Sequence, residues 1–141
     1  MKELFDVHCH MVPGVDDGAA DLEESLAMLK MQHEDGVRKI IITPHYRRRM
    51  FETPAKKVHE QFLKLQEAAK KEYPDMSLYL GCELHSNMDL QDILEKRKYV
   101  TMAGSSYVLL EFSEGDSAQH IRERVYNVLS CGYEPIIAHV E

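Results

Sequence analysis

The sequence alternates between short apolar runs and longer amphipathic stretches, and this alternation constrains the fold more than any other feature. The apolar runs have the length and composition of strands: ELFDVH (3–8), VRKIIIT (37–43), MSLYLGCE (76–83), YVLLEF (107–112) and PIIAHVE (135–141). A helical stretch separates each run from the next. Such alternation predicts a parallel sheet covered by helices, either open or curled into a barrel. We therefore expect an α/β protein with about five strands and four helices.

The helical stretches carry the usual start and stop signals. They are expected at residues 21–36, 54–73, 90–98 and 117–132. In the first, Asp21 is a candidate N-cap and Gly36 a candidate stop, and Pro54 suits the first turn of the second. Apolar residues at helical spacing predict the buried face of the second helix, namely Val58, Phe62, Leu65 and Ala69.

Composition argues against several classes of function. The chain has 141 residues, 44% of them hydrophobic, which is enough for the core of one domain. A net charge of −7 argues against a nucleic-acid partner. Membrane insertion is not expected, because no apolar run approaches the ~20 residues of a membrane span. The three cysteines are far apart and form no CxxC pair, which indicates reduced thiols in a cytoplasmic protein: Cys9, Cys82 and Cys131.

Each of the expected strands ends in, or is followed directly by, a histidine or a glutamate. These residues are His8, His10, His45, Glu83, Glu111 and His139. The carboxyl ends of parallel strands share one edge of the sheet, where such folds keep their sites, so these side chains should converge. Imidazole suits Zn, Fe and Mn, whereas carboxylates suit harder ions and can bridge two of them. The set predicts a site for two or three divalent metal ions.

Local geometry supports this interpretation for the first pair of histidines. His8 and His10 point to the same side of an extended segment, because side chains alternate along a strand, and Cys9 then faces away. Taken singly, each residue also has a structural interpretation, such as a core histidine. A glutamate in an apolar strand, such as Glu83 or Glu111, needs a partner that could be a metal or a basic side chain. The combination favours metal.

Two further groups of residues lie beside the expected site. Asp16 and Asp17 could be ligands or could hydrogen-bond the turn, and we favour Asp17 in or beside the site. The YRRR run (46–49) belongs to a loop over the site. Arg47 and Arg48 are candidate phosphate contacts, because a guanidinium binds phosphate through two parallel hydrogen bonds. The alternative for this run is a solvated cluster of charges.

Five motifs together resemble a known family. DVHCHMVPGVDDG, IITPHY, LGCELH, LLEF and IIAHVE, in this order, resemble the PHP (polymerase and histidinol phosphatase) superfamily. Within it they are most similar to the bacterial CpsB/YwqE-type manganese-dependent tyrosine phosphatases. The resemblance implies a distorted (βα)7 barrel with a trinuclear metal centre. It also implies that the ligands are His8, His10, His45, Glu83, Glu111 and His139, with Asp17 coordinated or close by.

The same resemblance implies a cofactor and a partner. Manganese is the expected metal, with Fe, Zn and Mg as alternatives. The implied substrate is a phosphotyrosine protein, the tail of a tyrosine autokinase that controls capsule or exopolysaccharide synthesis.

The chain also departs from the family pattern. Family members continue beyond the AHVE motif, usually with an arginine that binds phosphate and later with a D-x-H pair that completes the metal set. This chain ends at Glu141. We therefore expect residues 1–141 to be the N-terminal part of a single PHP domain, an incomplete barrel without about two βα units. An open apolar edge on the last strand would invite pairing with another copy, that is, a homo-oligomer.

The leading hypothesis is a phosphatase in which a metal-bridging hydroxide attacks phosphorus, with Glu83 as the expected bridge between ions. No covalent phospho-enzyme is expected, since the chain has no Cys-x5-Arg loop and no serine elbow. One alternative is an amidohydrolase-like deaminase or amidase, which also begins with HxH but uses lysine or histidine at later strand ends. The other is a non-catalytic metal-binding or self-associating half-barrel.

Overall fold

The computed structural model describes residues 2–140 and contains seven strands and four helices in that range. A 3₁₀ turn also occurs at Met102–Gly104. In chain order the elements are β1 (Leu4–Asp6), α1 (Leu22–Glu34), β2 (Val37–Ile42), β3 (His45–Tyr46), α2 (Ala55–Glu72), β4 (Ser77–Leu80), β5 (Glu83–His85), α3 (Leu90–Lys96), β6 (Tyr107–Glu111), α4 (Ala118–Ser130) and β7 (Glu134–Ile137).

All strand pairs are parallel, in the orders β1-β2-β4 and β3-β5-β6-β7. All five expected strands are present, and seven strands result because two of them divide. The second and third expected strands each divide into two. The second expected strand divides at Pro44, which has no N–H to donate to a neighbouring strand. Hydrogen bonds continue across the breaks, from Gly81 N–H to Ile42 O at 2.8 Å and from Glu83 N–H to Pro44 O at 3.0 Å. The five segments thus lie side by side in chain order.

The helices cover one face of the strands. One apolar cluster lies between β2, β4, α1 and α2, and a second lies between β5, β6, α3 and α4. The predicted buried face of α2 is confirmed in full. In α1 the N-cap at Asp21 is confirmed, since its carboxylate accepts the Glu24 N–H at 2.8 Å. That helix buries Ser25 and Leu29, whereas Leu22 is exposed.

The other face of β1, β2 and β4 is covered only in part within residues 2–140: Ile41 packs against the cluster of Met102, Leu109 and Ala138, whereas apolar side chains on β1 and just after it stay exposed. Phe5 and Val7 are 60% and 52% exposed. Within the described range the outermost strands, β1 and β7, do not pair with each other, so the strands form an open wall rather than a closed barrel. None of the helices in this range is long and apolar enough to cross a membrane.

Candidate metal centre

The side chains that follow the strands converge at one end of this wall, around a fully buried carboxylate. Glu83, the first residue of β5, has no exposed side-chain surface. Its Oε2 lies 2.9 Å from Nε2 of His8 and 2.9 Å from Nε2 of His10. Its Oε1 lies 2.9 Å from Nε2 of His139. Three histidines from two distant segments thus surround one glutamate, as the sequence predicts.

A second cluster shares the same glutamate. His45 begins β3, and its Nδ1 lies 3.4 Å from Oε2 of Glu83 and 3.3 Å from Oε2 of Glu111, the last residue of β6. The register explains the approach, because His45 pairs with Glu83 across β3 and β5. The imidazole of His45 also stacks on that of His10, with ring centroids 4.2 Å apart. Glu83 therefore joins two groups of potential ligands, His8–His10–Glu83 and His45–Glu83–Glu111.

The two neighbouring aspartates have different positions. The Asp16 side chain is buried, and its Oδ2 lies 3.0 Å from Nδ1 of His10 and accepts the backbone N–H of His45 at 2.9 Å. The side chain of Asp17 is 64% exposed, and its Oδ1 lies 3.5 Å from Nε2 of His45. Asp17 thus lies at the edge of the cluster. The sequence alone does not decide the role of Asp16, because an Asp-Asp pair in a turn does not show which carboxylate points inward.

The donor set fits divalent metal ions. Four atoms in the cluster are buried without a hydrogen-bond partner among the described residues: Nε2 of His8, Nδ1 of His45, Oε2 of Glu83 and Oε2 of Glu111. Buried polar atoms are normally satisfied, and these four instead face one another without hydrogen-bond geometry. Mixed imidazole and carboxylate donors suit Mn, Fe or Zn. Cations held between these atoms would satisfy all of them.

Without such cations, protons must balance the carboxylates. Burial disfavours the charged form of Glu83, but the short contacts from His10 and His8 and the charge of His45 outweigh it and lower the pKa of Glu83 to about 2. Burial likewise opposes a charge on His10, yet Asp16 and Glu83 raise the pKa of its imidazole to about 10. The pKa of Glu111 is lowered, because the contact from His45 outweighs the effect of burial. The site is thus built to hold positive charge.

The arginine run forms a tight turn next to this centre. Arg47 donates its N–H to Phe51 O at 2.8 Å and accepts the Phe51 N–H at 2.9 Å, which closes the turn. The Phe51 ring then stacks on His45 with centroids 5.1 Å apart. Arg47 is half-buried, whereas Arg48 is exposed. Arg47 also lies close enough to His85 to contribute, after burial, to lowering the pKa of that imidazole.

The cysteines face away from the centre, as the alternation of side chains predicts. Cys9 packs against the first apolar cluster and Cys82 belongs to the second. Burial raises the pKa of both thiols, that of Cys82 to about 12. All three cysteines are free thiols. None of them is a donor to the candidate metal centre.

The fold and this centre define a class of protein, a parallel α/β domain with a cluster of histidine and carboxylate side chains at the strand ends that could hold metal ions. Residues 4–141 match the family model for capsular polysaccharide synthesis proteins CpsB/CapC. The chain belongs to the CpsB/CapC family.

Individual relatives agree with this assignment. The chain is 41% identical over 138 residues to the tyrosine-protein phosphatase CpsB of Streptococcus pneumoniae and 30% identical to the tyrosine-protein phosphatase YwqE of Bacillus subtilis. Its structure also matches a solved chain among the crystal structures of YwqE from Bacillus subtilis and CpsB from Streptococcus pneumoniae, described as unique metal-dependent tyrosine phosphatases. That match has a TM-score of 0.86 and 29% identity, and it covers 96% of this chain and 55% of the other.

The alignments cover this chain almost completely but its relatives only in part. They include 98% of this chain, 57% of the streptococcal CpsB and 54% of YwqE. The chain therefore spans little more than half the length of these relatives.

Proposed function

We propose that this chain supplies metal-binding and substrate-binding residues of a metal-dependent protein-tyrosine phosphatase. The main support for the proposal is the environment of Glu83. Its buried carboxylate is contacted at 2.9 to 3.4 Å by four imidazoles, those of His8, His10, His45 and His139. The relatives named as tyrosine-protein phosphatases support this activity over that of an amidohydrolase-like enzyme.

The proposed ligands are the six strand-end residues together with Asp17: His8, His10, Asp17, His45, Glu83, Glu111 and His139. Glu83 is shared by both groups of donors and would bridge two ions. We propose manganese as the metal. Bound ions of this kind lower the pKa of water and neutralise charge on a phosphate ester. Asp16 orients His10 because its Oδ2 accepts a hydrogen bond from Nδ1–H of the imidazole, which leaves Nε2 directed at Glu83.

The substrate side of the proposal rests on the turn after β3. Arg47 and Arg48 are proposed to bind the phosphate group, because this turn packs against His45 through Phe51. The half-buried Arg47 is the better placed of the two, since less of its side chain must be immobilised when phosphate binds. The proposed substrate is a phosphotyrosine protein, the tail of a tyrosine autokinase of capsule or exopolysaccharide synthesis. The family description, capsular polysaccharide synthesis, supports the link to capsule formation.

Three further proposals concern the whole protein. Residues 1–141 are proposed to correspond to the N-terminal part of one domain, since the relatives are nearly twice as long. A cytoplasmic location is supported by the three free thiols. Pairing of two copies through the open sheet edge is supported by the exposed apolar residues of β7, Ile136 and Ile137.

Hydrolysis of para-nitrophenyl phosphate tests the central proposal. We expect turnover in the presence of manganese and its loss after addition of a chelator or in the variant Glu83→Gln. Turnover that persists in both would contradict the proposal, because hydrolysis would then occur elsewhere. A folded chain that binds manganese but has no turnover would instead support the non-catalytic alternative.

A further inference from the structure

A basic groove lies on the side of β3 opposite the candidate metal centre. It has a volume of about 680 Å³ and runs between the start of α2 and the segment that follows α3. Side chains alternate along β3, so His45 points to the metal centre while Tyr46 lines this groove. A narrower cleft lined by His45, Arg97 and Tyr99 adjoins it. The groove and the metal centre therefore share one strand.

The charge of this groove differs in sign from that of the chain. Lys56, Arg97 and Lys98 line it, and none of them forms an ion pair with a carboxylate in residues 2–140. The one carboxylate in the lining, Asp92, already pairs with Lys96. Three uncompensated positive charges in a chain of net charge −7 indicate an anionic ligand.

Aromatic rings form the rest of the lining and are held in place. The guanidinium of Arg97 lies 3.7 Å from the centroid of the Tyr46 ring and donates to Thr53 O at 2.9 Å. The rings of His59 and Tyr99 stack with centroids 4.3 Å apart and planes 10° apart. Tyr99 adopts a φ of 65°, which is unfavourable for a residue with a side chain and places its ring against His59. Rings and a guanidinium that are already held in place bind a peptide at low entropic cost.

We propose that this groove binds an anionic peptide segment of the phosphoprotein substrate, away from the phosphotyrosine being hydrolysed. The inference rests on the proposed phosphatase function and adds a second contact between enzyme and substrate. The anionic group is either a run of carboxylates or a second phosphotyrosine, since both complement Lys56, Arg97 and Lys98. A short anionic peptide is favoured over nucleic acid, because a net charge of −7 repels a long polyanion more strongly than a few charges confined to the groove.

The test measures binding of fluorescein-labelled peptides by anisotropy, with manganese present. Each peptide carries a non-hydrolysable phosphonate analogue of phosphotyrosine, flanked by acidic residues, by serines or by a second such analogue. A fourth peptide has the acidic run alone. The variant Lys56→Glu/Lys98→Glu reverses two exposed charges in the groove, and Lys57→Glu/Lys64→Glu reverses two exposed charges of α2 outside it.

We expect the groove variant to weaken binding of the acidic-flank peptide about fivefold or more and the serine-flank peptide less than about twofold. The control variant should change both by less than about twofold. The acidic-flank and doubly phosphorylated peptides are then compared. The peptide whose binding the groove variant weakens more carries the anionic group that the groove recognises. The acidic run alone should bind the unmodified chain and lose that binding in the groove variant.

Three results would overturn the proposal: equal effects of the two variants, no binding of the acidic run to the unmodified chain, or tighter binding of an RNA oligonucleotide at the groove. Failure of the phosphatase proposal has a different signature. In that case the serine-flank phosphonate peptide would not bind any form of the chain, whatever the groove does.

Discussion

Asp16 holds the ring of His10 through a contact of 3.0 Å between Oδ2 and Nδ1. The same oxygen accepts the backbone N–H of His45 at 2.9 Å, and Oδ1 accepts the N–H of Gly18 at 2.9 Å. One buried carboxylate therefore connects the first loop to the start of β3. It also fixes the direction in which Nε2 of His10 points, which is towards Glu83.

Replacing this carboxylate should weaken metal binding. The variant Asp16→Asn keeps the shape but loses the charge that orients His10, so we expect the affinity for manganese to fall about tenfold to a hundredfold. Isothermal titration calorimetry measures this affinity directly. The control is Asp89→Asn at the N-cap of α3, a position where asparagine caps as well as aspartate. Unchanged affinity in the Asp16 variant would show that His10 needs no such support.

Removal of the HxH pair tests whether the cluster binds metal at all. Manganese should raise the melting temperature of the chain, because a ligand present at a hundred times its dissociation constant adds about 2.7 kcal/mol to the free energy of unfolding. The variant His8→Ala/His10→Ala should lose this stabilisation.

The control for that experiment is His33→Ala, since His33 lies at the end of α1 and contacts Asp75 at 3.0 Å, away from the candidate centre. It should keep the full shift in melting temperature. A shift that survives loss of both His8 and His10 would place the metal elsewhere in the chain.

Gly18 should be irreplaceable for steric reasons. A Cβ atom built on Gly18 would lie 2.1 Å from the backbone oxygen of His10, and backbone cannot move aside as a flexible side chain can. We expect Gly18→Ala to lower the free energy of unfolding by about 2 kcal/mol or more and to weaken manganese binding, because the first loop would be displaced.

A comparison with Gly36→Ala separates steric overlap from backbone strain. Gly36 has a φ of 92°, but no atom lies within 4 Å of the position that a Cβ atom would take there. Gly36→Ala should lower the free energy of unfolding, measured with urea, by about 1 to 2 kcal/mol and should leave the affinity for manganese unchanged. Equal manganese affinities for the two variants would contradict the role given to Gly18.

Much of this architecture was predictable because it follows from periodicity. The order of strands and helices and the buried face of α2 depend on local patterns that the sequence displays. The convergence of Glu83 with His8 and His10 was also predictable, because parallel strands align their carboxyl ends. The breaks in the second and third strands at Pro44 and Gly81 could not be predicted. Hydrogen bonds between neighbouring strands continue past both residues, so only the register in the structure shows where one sheet ends and the next begins.

The buried position of Asp16 and the existence of the basic groove could not be predicted from the sequence for a different reason. Which of two adjacent aspartates is buried depends on the turn geometry around Gly18. The groove combines residues from β3, the start of α2 and the segment after α3, which are brought together only by tertiary packing. The stacking of His59 on Tyr99 depends on an unusual backbone conformation at Tyr99 that no local pattern encodes.

The buried thiol of Cys82 should resist alkylation. Cys82 is 4% exposed, and burial raises its pKa to about 12, so almost none of it is the reactive thiolate at neutral pH. Cys131, which is partly exposed at the end of α4, should react first with iodoacetamide. Mass spectrometry of the labelled peptides measures the order, and the variant Cys131→Ser provides the control. Rapid labelling of Cys82 in the folded chain would contradict its place in the core.

Phosphate binding should depend on the turn after β3. The half-buried Arg47 lies in the turn whose Phe51 stacks on His45, so loss of its charge should weaken binding of inorganic phosphate to the manganese-loaded chain. We expect Arg47→Gln to reduce the affinity about tenfold, since a charged hydrogen bond contributes roughly 1.5 to 3 kcal/mol. Arg48→Gln should have a smaller effect, because the exposed Arg48 side chain must be immobilised. Arg122→Gln on the exposed surface of α4 is the matched control. Calorimetric titration with phosphate measures all three, and equal affinities would assign the turn no part in substrate binding.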